Sequence, residues 1–335
     1  MKMLISCLTL VYLCLPVLAQ EPQTRAVEYD QRLAGYSYPF DVKKFNFQSQ
    51  GMDVEMAYMF LPPQEGKPVV TLLHGKNFNG EYWQQTADLL QENGYGVLIP
   101  DQVGFGKSSK PTDYQYSFAA LANNTKALLN SLNISHTIVV GHSMGGMLAT
   151  RFSLLFADTT DRLVLVNPIG LENYLLYVDY KDVNYFYKSE LKKGPEDIIE
   201  YQKKNYYDGK WNEDFAEHTT FLVGWINGPD WPLIAKVNAL TYDMIFTQPV
   251  IEDFRYLKIP TTLILGTRDR TAPGRGWKKD NVSRELGRYD KLGTEVQKLN
   301  PDIKLVELEG LGHLPHVEAF DRFKVPFLKA VSGDK

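Results

Sequence analysis

Ser143 lies in Gly141-His142-Ser143-Met144-Gly145, and two later residues, Asp269 and His313, are of the types that could make its hydroxyl reactive. A serine hydroxyl is a poor nucleophile near neutral pH. It needs a general base within hydrogen-bond reach, and that base needs a third group to orient it. His313 would take the serine proton and return it to a leaving group. Asp269 would fix the imidazole tautomer and stabilise its charged form. A developing oxyanion would need two backbone donors. Met144, just after the serine, supplies one N–H, and Lys76, in the turn His74-Gly75-Lys76-Asn77, is the candidate for the other. The side chains of Lys76 and Asn77 either face the same pocket or are plain turn residues.

These residues need elements to hold them. Residues 137–141 are mostly β-branched and apolar and read as a short buried strand. Residues 144–156 read as a helix. Strand, tight Gly-x-Ser-x-Gly turn and helix are the context of a nucleophile elbow, in which Gly141 and Gly145 let strand and helix approach closely. Asp269 follows a strand at 261–265, and His313 follows one at 303–308 through Gly310-Leu311-Gly312. The chain order Ser143, Asp269, His313 is the one expected after such an elbow. His316 is the rival base, three residues later at the start of the closing helix (318–331), with its side chain directed elsewhere. Arg268, Arg270, Glu307 and Glu309 read as surface or structural charges. His74 braces its turn, His142 packs on the sheet, and His136 and His218 read as isolated polar residues. No histidine pair has zinc spacing with a carboxylate, so neither a metal nor a cofactor is implied.

The rest of the chain repeats the strand–helix alternation. Residues 42–47 and 52–61 read as a hairpin about Gln50-Gly51. Strands follow at 68–73, 95–100 and 162–166, with helices at 81–93, 116–132 and 284–299. This pattern predicts an α/β fold with a mainly parallel central sheet and helices on both faces, and a site beyond the carboxyl ends of the strands. The alternation stops over 169–256. That stretch is helical in tendency and dense in aromatics, and reads as an inserted helical cap whose aromatics build its own core or line a substrate pocket. The organisation read from the chain is a signal segment at 1–19, a core at 20–168, the cap at 169–256 and the rest of the core at 257–335. Residues 20–39 read as a polar, irregular surface arm.

Composition narrows the partners. The net charge is −4 with no basic patch, which argues against nucleic acid. Met1-Lys2, an apolar run from Leu4 to Leu18 and Val17-Leu18-Ala19 resemble a secretory signal, too short for a membrane span. Both cysteines, Cys7 and Cys14, fall inside it, so the mature chain would hold no disulfide. Export to a bacterial periplasm or beyond, without stable membrane insertion, is the expectation, and the partner is a small-molecule substrate.

His74-Gly75, the run Asp101-Gln102-Val103-Gly104-Phe105-Gly106-Lys107-Ser108, Gly141 to Gly146, Gly266-Thr267-Arg268-Asp269 and Gly310-Leu311-Gly312-His313 together resemble the α/β-hydrolase superfamily. The similarity is to its capped members, the group of carboxylesterases, carbon–carbon bond hydrolases, epoxide hydrolases and haloalkane dehalogenases. The last two carry aspartate as nucleophile, and Ser143 argues against both. Gln102-Val103-Gly104 departs from the Arg-Gly often found there. The resemblance implies a cofactor-free serine hydrolase acting on an ester or related acyl bond. The alternatives are an aminopeptidase, a carbon–carbon bond hydrolase of the same fold, and a non-catalytic binding protein.

Overall fold

The computed structural model of the protein describes residues 27–334. The expected signal segment and both cysteines lie outside the described residues. Eight strands form one sheet: β1 (Val42–Ser49), β2 (Met52–Leu61), β3 (Val69–Leu73), β4 (Gly96–Pro100), β5 (Thr137–His142), β6 (Thr160–Val166), β7 (Thr261–Gly266) and β8 (Lys304–Leu308). Their spatial order is β1-β2-β4-β3-β5-β6-β7-β8. The β1–β2 and β2–β4 contacts are antiparallel and the others parallel. Gln50 and Gly51 both take positive φ, 54° and 76°, and close the first hairpin with two residues.

Eleven α-helices occur among the described residues: α1 (Gln84–Glu92), α2 (Phe118–Ser131), α3 (Met144–Leu155), α4 (Val183–Glu190), α5 (Pro195–Asn205), α6 (Glu213–Glu217), α7 (Thr220–Asn227), α8 (Trp231–Thr247), α9 (Tyr289–Leu299), α10 (Pro315–Glu318) and α11 (Phe320–Ser332). The middle strands are apolar at nearly every position because both faces are covered. Val139, Leu163, Leu165 and Leu263 pack with α2, α3 and α9. Ile138, Val140, Val164 and Ile264 pack with α1 and α11 on the other face. None of the helices is long and apolar enough to cross a membrane.

Helices α4 to α8 all lie between β6 and β7, where the alternation stops. The N-terminal arm is more than a surface strap. Leu33 is fully buried in a cluster with Phe221, Leu222, Trp225 and Ile234, and the Tyr29 N–H donates to the Gly224 carbonyl at 2.9 Å. The arm is thus part of the core of the segment that follows β6, a long-range contact that local polarity hides.

Several helix boundaries differ from the sequence pattern. The helix expected from 284 starts at Tyr289, because Gly287 takes φ 73° and gives its N–H to the buried Glu172 carboxylate at 2.9 Å. The closing helix expected from 318 starts at Phe320, separated from the short α10 by Ala319, whose backbone (φ −153°, ψ 64°) is not helical. Helix α2 begins after Ser117, whose hydroxyl accepts from the Ala120 N–H at 3.0 Å and caps it.

A side chain at Gly145 would press on the carbonyl oxygens of Leu73 and His74, at the end of β3. Gly145→Ala is therefore expected to destabilise by about 3 kcal/mol or more, through overpacking against immovable backbone. Urea unfolding of the variant beside the parent checks this, and an unchanged midpoint would contradict it.

Candidate active site

Ser143 stands between β5 and α3 with φ 55° and ψ −122°, a left-handed conformation costly for a residue with a Cβ. Neighbouring backbone holds it there. Its N–H donates to the Val166 carbonyl at 3.3 Å, and its own carbonyl accepts from Gly146 at 2.9 Å and Ile169 at 3.1 Å. The approach that makes this turn possible depends on Gly141, where a Cβ would strike the Gly145 carbonyl. The hydroxyl is thereby fixed at the carboxyl end of the sheet.

His313 comes to the same point from the end of β8. Its Nε2 lies 2.9 Å from Ser143 Oγ and its Nδ1 2.7 Å from Asp269 Oδ2. With Nδ1–H donating to the carboxylate, Nε2 is free to accept the serine proton. Asp269 follows β7 and is buried. It accepts from His313, from Asn167 Nδ2 at 2.9 Å and from the Thr271 N–H at 2.7 Å. Burial works against its charge, but the neighbouring His313 and Thr271 outweigh it and hold the carboxyl below its usual range. The arrangement can deprotonate a hydroxyl and stabilise the imidazolium that results.

Beside the serine, the turn after β3 brings Lys76 alongside. Among the described residues no acceptor takes the Lys76 backbone N–H, and Met144, as the first residue of α3, has no carbonyl four residues back within its helix. The turn is held from below by a chain of bonds. The Gly75 N–H donates to Tyr82 Oη at 3.0 Å, and Tyr82 Oη lies 3.0 Å from His142 Nδ1. His142 Nε2 lies 2.8 Å from the His313 carbonyl. A Tyr82 O–H donated to Nδ1 requires the proton on Nε2, which then donates to His313. His142 thus connects the turn to the backbone of His313. Tyr82 carries no sequence signal, being one of many aromatics. His74 braces the turn, with Nδ1 2.9 Å from the Gly75 carbonyl and Nε2 accepting from the Gln102 N–H at 3.1 Å.

Ser143 opens on a cavity of about 300 Å³ shared with the segment between β6 and β7. Tyr206 stacks on His313 (centroids 4.8 Å apart, planes at 25°), and its hydroxyl accepts from Asn77 Nδ2 at 3.0 Å. Asn77 and Lys76 both line the cavity, so they are not plain turn residues. Lys76 Nζ donates to Thr241 Oγ1 at 3.2 Å, and enclosure lowers its pKa to about 8. Most other aromatics of the segment pack on one another, as Tyr207 does on Phe215 at 3.8 Å. Tyr206 and Asn167 are the contributors that motif reading misses. Asn167 sits at a strand end, a signal that could have pointed to it.

The remaining candidates fall elsewhere. His316 is buried against Trp83, with centroids 4.7 Å apart, and neither ring nitrogen has a partner among the described residues. His218 is not isolated: its Nδ1 lies 3.0 Å from Glu81 Oε2. His136 is exposed near Asp161 at 3.4 Å. Arg268 is more than surface charge, since it bonds the Gly310 carbonyl and the Glu318 carboxylate and so ties the β7 and β8 loops together. Arg270 donates to the Asp269 and Thr267 carbonyls. Glu307 and Glu309 are exposed.

The model of the alpha/beta hydrolase fold matches residues 68–319. The chain belongs to the α/β-hydrolase fold family. A crystal structure of a probable hydrolytic enzyme from Pseudomonas aeruginosa PAO1 superposes with a TM-score of 0.88 at 42% identity, covering 91% of this chain and 99% of that one. Lipase 1 of Psychrobacter immobilis is 25% identical over 319 residues, 90% of this chain and 88% of the lipase. Lipase 3 of Moraxella sp. TA144 is 26% identical over 319 residues, 89% and 88% of the two chains. Uncharacterized proteins of Mycobacterium bovis and Mycobacterium tuberculosis are 36% identical over 121 residues, and the match spans 33% of their length. Family and lipase relatives support hydrolase activity for this α/β hydrolase.

Burial pushes both His142 and His316 well below the usual histidine range, with their histidine neighbours adding to the effect. Below about pH 6.5 the unfolded chain therefore takes up protons that the folded chain refuses. Stability falls with pH at up to about 1.4 kcal/mol per unit for each histidine. Asp269 acts in a lower window, below about pH 4. His316→Phe is expected to flatten the loss between about pH 6.5 and 5, read by thermal unfolding across that range. An unchanged slope would contradict the account. Tyr82→Phe leaves the buried Gly75 N–H unpaired and is expected to cost about 2 kcal/mol in urea unfolding.

Proposed function

We propose that the protein is a serine hydrolase that cleaves an ester or related acyl bond of a small to medium substrate through an acyl-enzyme. The observation that carries this reading is the continuous Ser143–His313–Asp269 chain of 2.9 and 2.7 Å bonds at the floor of the cavity. Ser143 Oγ attacks the substrate carbonyl carbon as His313 Nε2 takes its proton. The N–H groups of Met144 and Lys76 bind the tetrahedral oxyanion. The C–O bond then breaks, with the leaving alcohol taking the proton from His313. Water, deprotonated by the same imidazole, attacks the acyl-enzyme, and the proton returns to Ser143 as the acid departs. Asp269 stays ionised throughout and steadies the imidazolium. Tyr206, stacked on His313, keeps bulk water from that face.

Two features favour acyl esters over an N-terminal peptide residue. An aminopeptidase needs a free carboxylate for the substrate ammonium. Glu190, in the cavity wall, is paired with Lys193 at 2.5 Å, and Asp197 accepts from the Gly194 N–H at 2.8 Å. The two relatives similar to this chain over most of its length are lipases, and lipase chemistry is ester cleavage. Export is part of the proposal, with cleavage after Ala19, and N-terminal sequencing of the protein recovered outside the cytoplasm tests it.

Nitrophenyl esters of graded acyl length and aminoacyl anilides, assayed side by side, test the reaction. Ester turnover is expected, with Ser143→Ala and His313→Ala each reducing kcat/KM by about 10⁴-fold. His316→Phe should retain it within about threefold, as a residue outside hydrogen-bond reach of the serine. Preferential anilide cleavage, or an active Ser143→Ala, would overturn the reading.

A further inference from the structure

Lys76 does something in the cavity that its backbone does not explain. Its ammonium makes no salt bridge among the described residues. It bonds the neutral Thr241 hydroxyl at 3.2 Å and sits 5.7 Å from the centroid of the Tyr242 ring. The other lysine in the cavity wall, Lys193, has its carboxylate in Glu190 at 2.5 Å, and that carboxylate also accepts from Asn238 at 3.5 Å. Glu190, already held by Lys193, acts on the Lys76 cation only from beyond contact distance. An enclosed cation with no carboxylate in contact is costly, and one ordinary hydroxyl leaves two of its three N–H groups free. Gln202, behind the cavity wall, is a second donor of this region. It is fully buried; its Oε1 accepts from Thr219 at 3.1 Å, while its Nε2 has no partner among the described residues. The cavity wall beside Ser143 therefore carries a charged donor at Lys76 with unfilled capacity, while its acidic side chains Glu190 and Asp197 already have partners.

We propose that the substrate carries a carboxylate, bound by Lys76 Nζ within the cavity as its counter-ion, so that the Lys76 side chain sets specificity while its N–H serves the oxyanion. The inference rests on the proposed acyl hydrolysis at Ser143 and adds the substrate class: esters that bear a free acid group elsewhere in the molecule. The ammonium then gains a short charge-assisted bond in a water-poor cavity, where such bonds are strong. An ester of the same length with that acid capped leaves the cation unpaired in the complex.

Two measurements separate this from the parent reading. Ser143→Ala, which cannot turn over, is titrated calorimetrically with monomethyl succinate through monomethyl suberate and with the corresponding dimethyl esters. The acid ester of at least one chain length is expected to bind about tenfold or more tightly than its dimethyl counterpart. The excess should vanish in the Ser143→Ala, Lys76→Met double variant and persist in the Lys76→Arg counterpart. No preference at any length, or one that survives Lys76→Met, would overturn the proposal. Wild-type hydrolysis of the dimethyl esters is followed alongside. Turnover that disappears with Ser143→Ala upholds the serine reading whatever the anion result. An anion preference without any ester turnover would bring down the ester reading and leave a carboxylate-binding pocket.

Discussion

The tightest constraint in the molecule is the distance between β5, α3 and the end of β3. Backbone comes so close there that a methyl group at Gly141 or Gly145 would collide with a carbonyl oxygen. That closeness is what forces Ser143 to a positive φ, and a strained residue persists only where its surroundings over-determine it. The surroundings here are the parallel strands on either side. β6 receives the Ser143 N–H through Val166, and β3 ends in the turn that carries Lys76. A parallel sheet with both faces covered is rigid enough to hold such a turn, and the two hydrophobic layers on its faces make it so.

Around this elbow, the polar groups are arranged so that one charge can exist in a dry place. Asp269 is buried yet favoured as a carboxylate by the donors that converge on it. The other buried histidines, His74, His142 and His316, are kept neutral by the same burial that Asp269 overcomes. Among the fully buried histidines, His313 is the one hydrogen-bonded to a carboxylate. The helices between β6 and β7 complete the enclosure, since Tyr206 covers His313 and Lys76 reaches from the core to Thr241. The same closure that strengthens each polar bond makes an unpaired ammonium at Lys76 meaningful.

Much of this was legible in the sequence, for identifiable reasons. Buried strands of a parallel sheet read as short apolar runs, and the residues that follow them read as loop ends, so Ser143, Asp269 and His313 could be placed at one edge before any coordinates. What stayed hidden depends on contacts far apart in the chain. Tyr82 bonds the turn after β3 from seven residues away and His142 from sixty, and nothing local marks it among other tyrosines. Leu33 is buried in a cluster almost two hundred residues distant, so its polar neighbours suggested a surface arm. The helices expected from 284 and 318 start later because one left-handed glycine and one non-helical alanine interrupt an otherwise helical pattern. Lys76 was found for its N–H, but the isolation of its ammonium is a property of the closed cavity and has no sequence signature.

The most direct test of the central claim is covalent. The protein is treated with a fluorophosphonate at neutral pH, digested, and the adduct mapped by mass spectrometry. The account requires a single adduct on Ser143 that forms with the wild type and His316→Phe and is slowed by orders of magnitude in His313→Ala. An adduct on another residue, or equally fast labelling of Ser143 without His313, would mean that the hydrogen-bonded chain at the elbow does not activate this serine.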